Sequence, residues 1–195
     1  MQKLGLPSFE KRLVDDEAGG GICLQARLAD LVVIGQYDPQ EPSPVVMPDF
    51  PQYVVLHSGR PVLLVPHAGR YDEIGKRVLI AWDGSMEITR TVTSALPLLK
   101  RAQLVEVVAF NESAQAQPAA DDVLLYLRRH GVQAEVLRRW CDSSIGEALL
   151  ALAGALGSDL IVMGGYGHVR FREILLGNVT RTVLETMSVP VLMSR

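Results

Sequence analysis

Residues 159–194 read DLIVMGGYGHVRFREILLGNVTRTVLETMSVPVLMS, and this stretch decides the fold. Its apolar run DLIVMG predicts a strand that starts at residue 159, and residues 178–187 have the spacing of a helix. The closing PVLMS at 190–194 predicts a second strand. The end of the first strand and its connection to the helix contain the spaced glycines Gly164, Gly167 and Gly177. Strand, loop, helix and strand in this order predict one βαβ unit.

The same alternation extends backward from this unit to residue 77. The predicted strands are 77–82, 104–110 and 132–140, and the predicted helices are 85–102, 121–131 and 144–156. Strands that alternate with helices predict an α/β fold, an open parallel sheet of five strands with helices on both faces. We therefore expect residues 77–195 to form a complete domain.

The front of the chain repeats part of this domain. DLVVIGQY begins at Asp30 and DLIVMGGY at Asp159, and five of the eight residues are identical. The prolines of RPVLLV and VPVLMS, Pro61 and Pro190, have the same spacing of 129 residues. A constant offset between two matching pairs of segments predicts an internal repeat.

This repeat suggests how the chain is organised. We interpret residues 1–67 as a partial, degenerate first copy and residues 68–76 as a linker. Over residues 8–66 we expect strand, helix, strand, connection and strand, without the opening βα units of a whole copy. The connection, 38–51, contains five prolines and lacks the counterparts of two of the three glycines. The first copy is therefore not expected to work as the second does.

Composition excludes several classes of function. The 195 residues carry 22 acidic and 19 basic side chains, a formal net charge of −3 without a long run of either sign. Nucleic acid and anionic membrane surfaces are therefore unexpected partners. We find neither a signal-peptide core nor a run of apolar residues long enough to span a bilayer, and we expect a cytoplasmic protein. Cys23 and Cys141 have no metal or redox spacing, and no metal site is predicted.

The three glycines permit two interpretations. In an open parallel sheet, ligands bind beyond the carboxyl ends of the strands, where glycine permits a positive φ and a close approach of the ligand. Gly177 precedes the helix that starts at Asn178, and the free amides of a helix N-terminus attract phosphate. Alternatively, Gly164 and Gly167 form an ordinary turn, and Asn178 caps the helix.

Three segments resemble one known family. GGYGHVRFREILLGN (164–178) is similar to the glycine signature of the universal stress protein family, VLIAWDGS (78–85) to its first strand, and TVLETMSVPVLMSR (182–195) to its last helix and strand. The resemblance covers 77–195, and the front of the chain resembles the end of the first domain in tandem members. It implies strand order 3-2-1-4-5 and an ATP site at the junction of strands 1 and 4, and it leaves open whether Mg²⁺ enters with ATP.

The resemblance also implies roles for individual residues. Asp83 matches the residue that hydrogen-bonds adenine, and Val108 lies near the position that packs on the base. The ribose and phosphate turn is matched by Met163, Gly164 and Gly167, and the phosphate-binding helix start by Gly177, Asn178 and Val179. Asn178 stands where nucleotide-binding members carry a hydroxyl. Trp82, beside Asp83, either stacks on the base or fills the core.

We therefore expect a regulatory module that binds an adenine nucleotide, ATP, in the stress response. Two alternatives remain: a slow ATP hydrolase that uses Asp83 or the loop residues Arg170 and Arg172, and a dimerisation or scaffold module that has lost the nucleotide. The terminal strands 61–65 and 190–194 need partners, either each other or a second chain. We predict a homodimer whose contacts include residues from the first copy.

Overall fold

The computed structural model describes residues 9–113, 118–166 and 178–195, without the side chain of Asn178. The elements in these ranges alternate between helix and strand over most of the chain. In chain order they are α1 (Ala18–Ala26), β1 (Val32–Gly35), α2 (Phe50–His57), β2 (Val62–Val65), β3 (Arg77–Ala81), α3 (Met86–Leu99), β4 (Leu104–Phe110), α4 (Ala120–Arg129), β5 (Glu135–Arg139), α5 (Ile145–Leu156), β6 (Leu160–Gly164), α6 (Asn178–Thr186) and β7 (Val191–Ser194). The predicted α/β fold is confirmed.

All of these strands belong to one sheet in the order β1-β2-β7-β6-β3-β4-β5. The prediction of five strands was wrong, because the sheet has seven. Counted from β3, the five strands of residues 77–195 stand in the order 3-2-1-4-5, and the sheet continues beyond β7. The pairing between β2 and β7 is antiparallel and all other pairings are parallel.

The core consists of two apolar layers, one on each face of the sheet. Side chains alternate between the faces along a strand, so Leu79 packs with Val54 of α2 and Leu149 of α5, whereas its neighbour Ile80 packs with Ile88 of α3. Helices α1, α2, α5 and α6 contribute to the first layer, and α3 and α4 contribute to the second. The two-sided cover that the alternation predicted is therefore present.

The front of the chain differs from the expected order of elements. Residues 18–65 run helix, strand, helix, strand, so the expected opening strand is wrong and the proline-rich connection leads into α2. Helix α1 begins at its glycines because the Glu17 carboxylate accepts hydrogen bonds from the Gly19 and Gly20 amides. Pro51 lies in the first turn of α2, where its missing N–H costs nothing. Residues 145–194 have the same order of elements.

Two contacts join the front of the chain to residues 77–195. Strand β2 pairs with β7 within the same chain, Leu63 opposite Leu192. Gln36, buried after β1, donates its amide hydrogens to the carbonyl oxygens of Leu184 (3.0 Å) and Glu185 (3.1 Å) in α6. Of the two pairings predicted for the terminal strands, the structure has the one within a chain.

Candidate functional site

The candidate site lies where the connections leave the sheet in opposite directions. Strand β3 is central, with β4 on one side and β6 on the other, and Ala81 is in register with both Val108 and Met163. The chain passes from β3 to β4 on one side and later returns to β6 on the other. Such a switch point opens a crevice beyond the carboxyl ends of the strands, which is where doubly wound α/β proteins bind ligands.

Asp83 projects into solvent at the end of β3. Its Oδ1 accepts a hydrogen bond from the Ser85 amide at 2.9 Å, and Ser85 Oγ in turn accepts one from the Ile88 amide at 3.3 Å to cap α3. Both bonds hold the turn rigidly at the mouth of the crevice. Its other oxygen, Oδ2, accepts no hydrogen bond from the residues that the structure describes, so it is available to a donor from a ligand.

Gly164, at the end of β6, lies against the first turn of α3. A Cβ at this position would be 2.9 Å from the Ile88 amide nitrogen and 3.0 Å from Glu87 Cβ. Gly164 does not have the positive φ that its turn was expected to need; Tyr166 has it instead, at 55°. The glycine is therefore required by helix packing, which neither interpretation of the glycines anticipated.

The amino end of α6 is held beside the end of β6. The Tyr166 amide donates to Thr180 Oγ1 at 3.3 Å, and Thr180 lies in the first turn of the helix. Helix α5 packs closely on the same turn, since a Cβ on Gly146 would be 3.2 Å from the Val179 carbonyl oxygen. A helix N-terminus therefore faces the switch point. Gly167, Gly177, Arg170 and Arg172 lie outside the described residues.

The apolar residues near the crevice divide into buried and half-buried positions. Val108 and Met163, both expected at the site, are 0% and 4% exposed and belong to the core. Trp82 is buried too, and its indole N–H donates to the Pro118 carbonyl oxygen at 3.2 Å, so it fills the core as the second interpretation proposed. Ala81 and Phe110 are half-buried at the strand ends.

Ala81 and Phe110 were missed by the sequence reasoning. Phe110 follows Val108 by two residues on β4, and Ala81 follows Leu79 by two on β3, so each lies on the same face as its deeper neighbour and nearer the crevice. Side chains on one face of a strand recur every two residues. Counting two residues onward from a buried position to the end of each strand would have identified both.

Tyr166 combines an unusual backbone with an unpaired polar atom. Its hydroxyl is buried and has no hydrogen-bond partner among the residues that the structure describes. Burial raises its pKa to about 12. A buried hydroxyl without a partner costs free energy, so its presence in a folded protein calls for an explanation.

Metal sites and membrane spans are absent from the described ranges. No group of three or more His, Cys, Asp or Glu side chains there could hold a metal ion. No helix in these ranges has the length and apolar character needed to cross a membrane. Cys23 and Cys141 are free thiols, and burial raises the pKa of Cys23.

The fold and this crevice define a doubly wound α/β protein with a carboxylate and a helix N-terminus at its switch point. Residues 75–195 match the model of the Universal stress protein family. The match covers more than half of the chain, and the chain belongs to this family.

Individual proteins are similar to this chain in sequence or in fold. A universal stress protein of Synechocystis sp. is 29% identical over 147 residues, 70% of this chain and 47% of that protein. One from Methanocaldococcus jannaschii is 41% identical over 46 residues, 24% of this chain and 28% of that protein. The crystal structure of a universal stress protein from Archaeoglobus fulgidus is similar with a TM-score of 0.70 at 18% identity, covering 91% of this chain and 64% of that one. The chain therefore spans less than half the length of the two curated relatives, those of Synechocystis and Methanocaldococcus.

Proposed function

We propose that this chain is a regulatory module of the stress response that binds an adenine nucleotide, ATP, in the crevice between β3 and β6. One observation carries the proposal. The in-register ends of β3 and β6 bring the free Oδ2 of Asp83 to the switch point where the amino end of α6 also lies. A carboxylate suits the donor edge of adenine, and a helix N-terminus suits phosphate.

The described residues fit the adenosine part of this ligand. Asp83 Oδ2 would accept the exocyclic N–H of adenine, and the half-buried side chains of Ala81 and Phe110 would contact the ring. Val108 supports this wall from the core, because it has no exposed surface of its own. Met163 and Gly164 would support the ribose turn from beneath.

The phosphates are assigned to the glycine loop and the start of α6. We propose that Gly167 and Gly177 let the phosphates approach the backbone, where amides from Asn178 and Val179 donate to them. Asparagine keeps a donor at 178, since its side-chain N–H₂ bonds an anion as a hydroxyl does. The protein would recognise ATP by its charge and shape. Mg²⁺ would enter the site only when bound to the phosphates of ATP.

The test is a matched pair of Asp→Asn variants. Asp83→Asn keeps the Oδ1 bond to the Ser85 amide but places an N–H₂ group where Oδ2 faces the adenine donor, so ATP affinity should fall roughly 10- to 100-fold. Asp38→Asn is the control, because Asp38 Oδ1 caps the Gln40 amide in the same kind of turn after β1. Calorimetric titration measures both.

The outcomes separate the three functions. Loss of affinity in Asp83→Asn alone supports the proposal, and equal affinity in both variants removes Asp83 from the site. Wild-type protein that neither binds ATP nor releases nucleotide on denaturation, read by absorbance near 260 nm, is a scaffold module. Sustained phosphate release that depends on the site identifies a hydrolase instead.

We also propose that the chain forms a homodimer through the open edge of β1. Val33 and Leu31 are 58% and 37% exposed, whereas Val162 and Leu160, 129 residues later, are buried beside β3. An apolar edge of this kind favours pairing with a second strand. Val33→Lys should give monomers in light scattering and Val45→Lys, in an exposed loop, should not. A monomeric wild type would contradict this assembly.

A further inference from the structure

A second cavity, outside the crevice, lies where the front of the chain meets residues 77–195. Its volume is about 260 Å³, and it is bounded by the last turn of α2, the turn before β2, helix α3 and the end of β7. The lining residues are Val55, Leu56, Gly59, Arg60, Arg90 and Arg195. Three of these six are arginines, and none is acidic.

The arginines of this cavity have no acidic partners. Within the described ranges, four arginines form ion pairs, with Glu10, Asp72, Glu185 and the Glu112–Asp121 pair as their partners, and Arg60, Arg90 and Arg195 are not among them. Arg60 is instead fixed by its backbone contact, since its Nη2 donates to the Arg27 carbonyl oxygen at 2.6 Å. Guanidinium groups stay charged at every physiological pH, so their charges add in this cavity.

Local negative charge does not balance these three cations. The last turn of α2 lines the cavity, and a helix C-terminus carries about half a negative charge. Where Arg195 ends the chain, its carboxylate adds one more. Part of the positive charge of the three arginines therefore remains uncompensated by the lining, and this charge favours an anion.

We propose that this cavity binds a phosphate-group anion. Arginine forks match phosphate oxygens in pairs of parallel hydrogen bonds, and charge-assisted bonds of this kind are roughly twice as strong as neutral ones. The volume is just below the roughly 300–1,000 Å³ of sites for drug-sized ligands, so the ligand is small. Because Arg60 belongs to the front of the chain and Arg90 to α3, the bound anion bridges the two segments that β2 and β7 join.

The experiment titrates the full chain with pyrophosphate at constant ionic strength. Arg90→Gln removes one guanidinium with a residue that helices tolerate, and affinity should fall roughly tenfold or more. The control, Arg101→Gln, makes the same change of charge just beyond the carboxyl end of α3, outside the cavity, and should bind like the wild type. Arg60→Lys keeps the charge but loses both the fork and the contact with the Arg27 carbonyl oxygen, and it should also weaken binding.

Further variants separate this site from the nucleotide crevice. Pyrophosphate binding that survives Asp83→Asn and Gly177→Val but not Arg90→Gln places the anion in the cavity. Binding that survives Arg90→Gln and is lost in Gly177→Val places it in the glycine loop and overturns the proposal. Wild-type protein that does not bind pyrophosphate or inorganic phosphate overturns it as well, whatever its affinity for ATP.

Discussion

Replacing Gly164 with alanine tests the packing of α3 on β6. The added Cβ would lie 2.9 Å from the Ile88 amide nitrogen and 3.0 Å from Glu87 Cβ, both in the first turn of the helix. Real Cβ atoms essentially never approach this closely, and backbone has little freedom to yield, so α3 must move. Overpacking of this kind costs about 1–3 kcal/mol, and we expect that loss in the free energy of unfolding.

The chain contains a matched control for this change. Gly35 ends β1 and stands 129 residues before Gly164, at the same position in the repeated DLVVIG and DLIVMG segments. Among the described residues, no atom outside its two chain neighbours lies within 4 Å of a Cβ built on Gly35. Gly35→Ala should therefore leave stability unchanged or raise it by about 0.5 kcal/mol, since alanine loses less backbone entropy on folding.

Urea unfolding followed by circular dichroism measures both variants. With the slope of about 1–3 kcal/mol per molar usual for small proteins, Gly164→Ala should lower the midpoint by roughly 1 M. ATP affinity should fall too, because a displaced α3 carries with it the turn that holds Asp83. Equal stability of the two variants would refute the packing argument and would return Gly164 to a direct role in ligand contact.

Three further predictions concern the same elements. Tyr166→Phe should be neutral or stabilising by about 1 kcal/mol at pH 7. In the wild type, burial raises the pKa of Tyr166 from 10.0 to about 12, so the unfolded chain loses this proton at lower pH than the folded chain. The free energy of unfolding of the wild type should therefore fall by about 1–2 kcal/mol from pH 10 to 12. A Tyr166→Phe variant that loses as much stability as the wild type between pH 10 and 12 would contradict this. Gln36→Leu should cost at least about 2 kcal/mol in thermal unfolding, since α6 carbonyls and the His67 amide lose their partner; a loss below about 0.5 kcal/mol would be inconsistent with it. Gly177→Val should abolish ATP binding in calorimetry while the fold persists, because a side chain at this position would block the phosphates. Unchanged affinity in the folded variant would exclude Gly177 from the site.

Periodicity predicted most elements, and tertiary packing explains what it missed. Strand β4 was predicted with the bounds it has, Leu104–Phe110, because its apolar run ends sharply on both sides. Helix α2 was missed because the prolines before it read as a loop, although Pro51 fits a first turn. The close approach of α3 to Gly164 joins residues that are distant in sequence, so no local pattern contains it.

The candidate site was predictable in the same uneven way. Asp83 was expected at the end of an apolar strand, and the structure has its carboxylate exposed there; its role toward adenine stays a prediction. The burial of Trp82 depends on Pro118, whose carbonyl oxygen accepts the indole N–H, and that contact spans 36 residues. The arginine cavity draws its charges from three distant segments, so it exists only in the folded chain.

The antiparallel pairing of β2 with β7 makes one sheet contact independent of protein concentration. The two strands belong to one chain, and the short connection from β2 to β3, residues 66–76, tethers the front of the chain to the rest at an effective concentration in the millimolar range. Dilution therefore cannot separate them, whereas an assembly through β1 responds to dilution like any association between molecules. A protease cut between β2 and β3 would turn the first contact into one of the second kind. The nicked protein would then hold its two fragments together only above their dissociation constant.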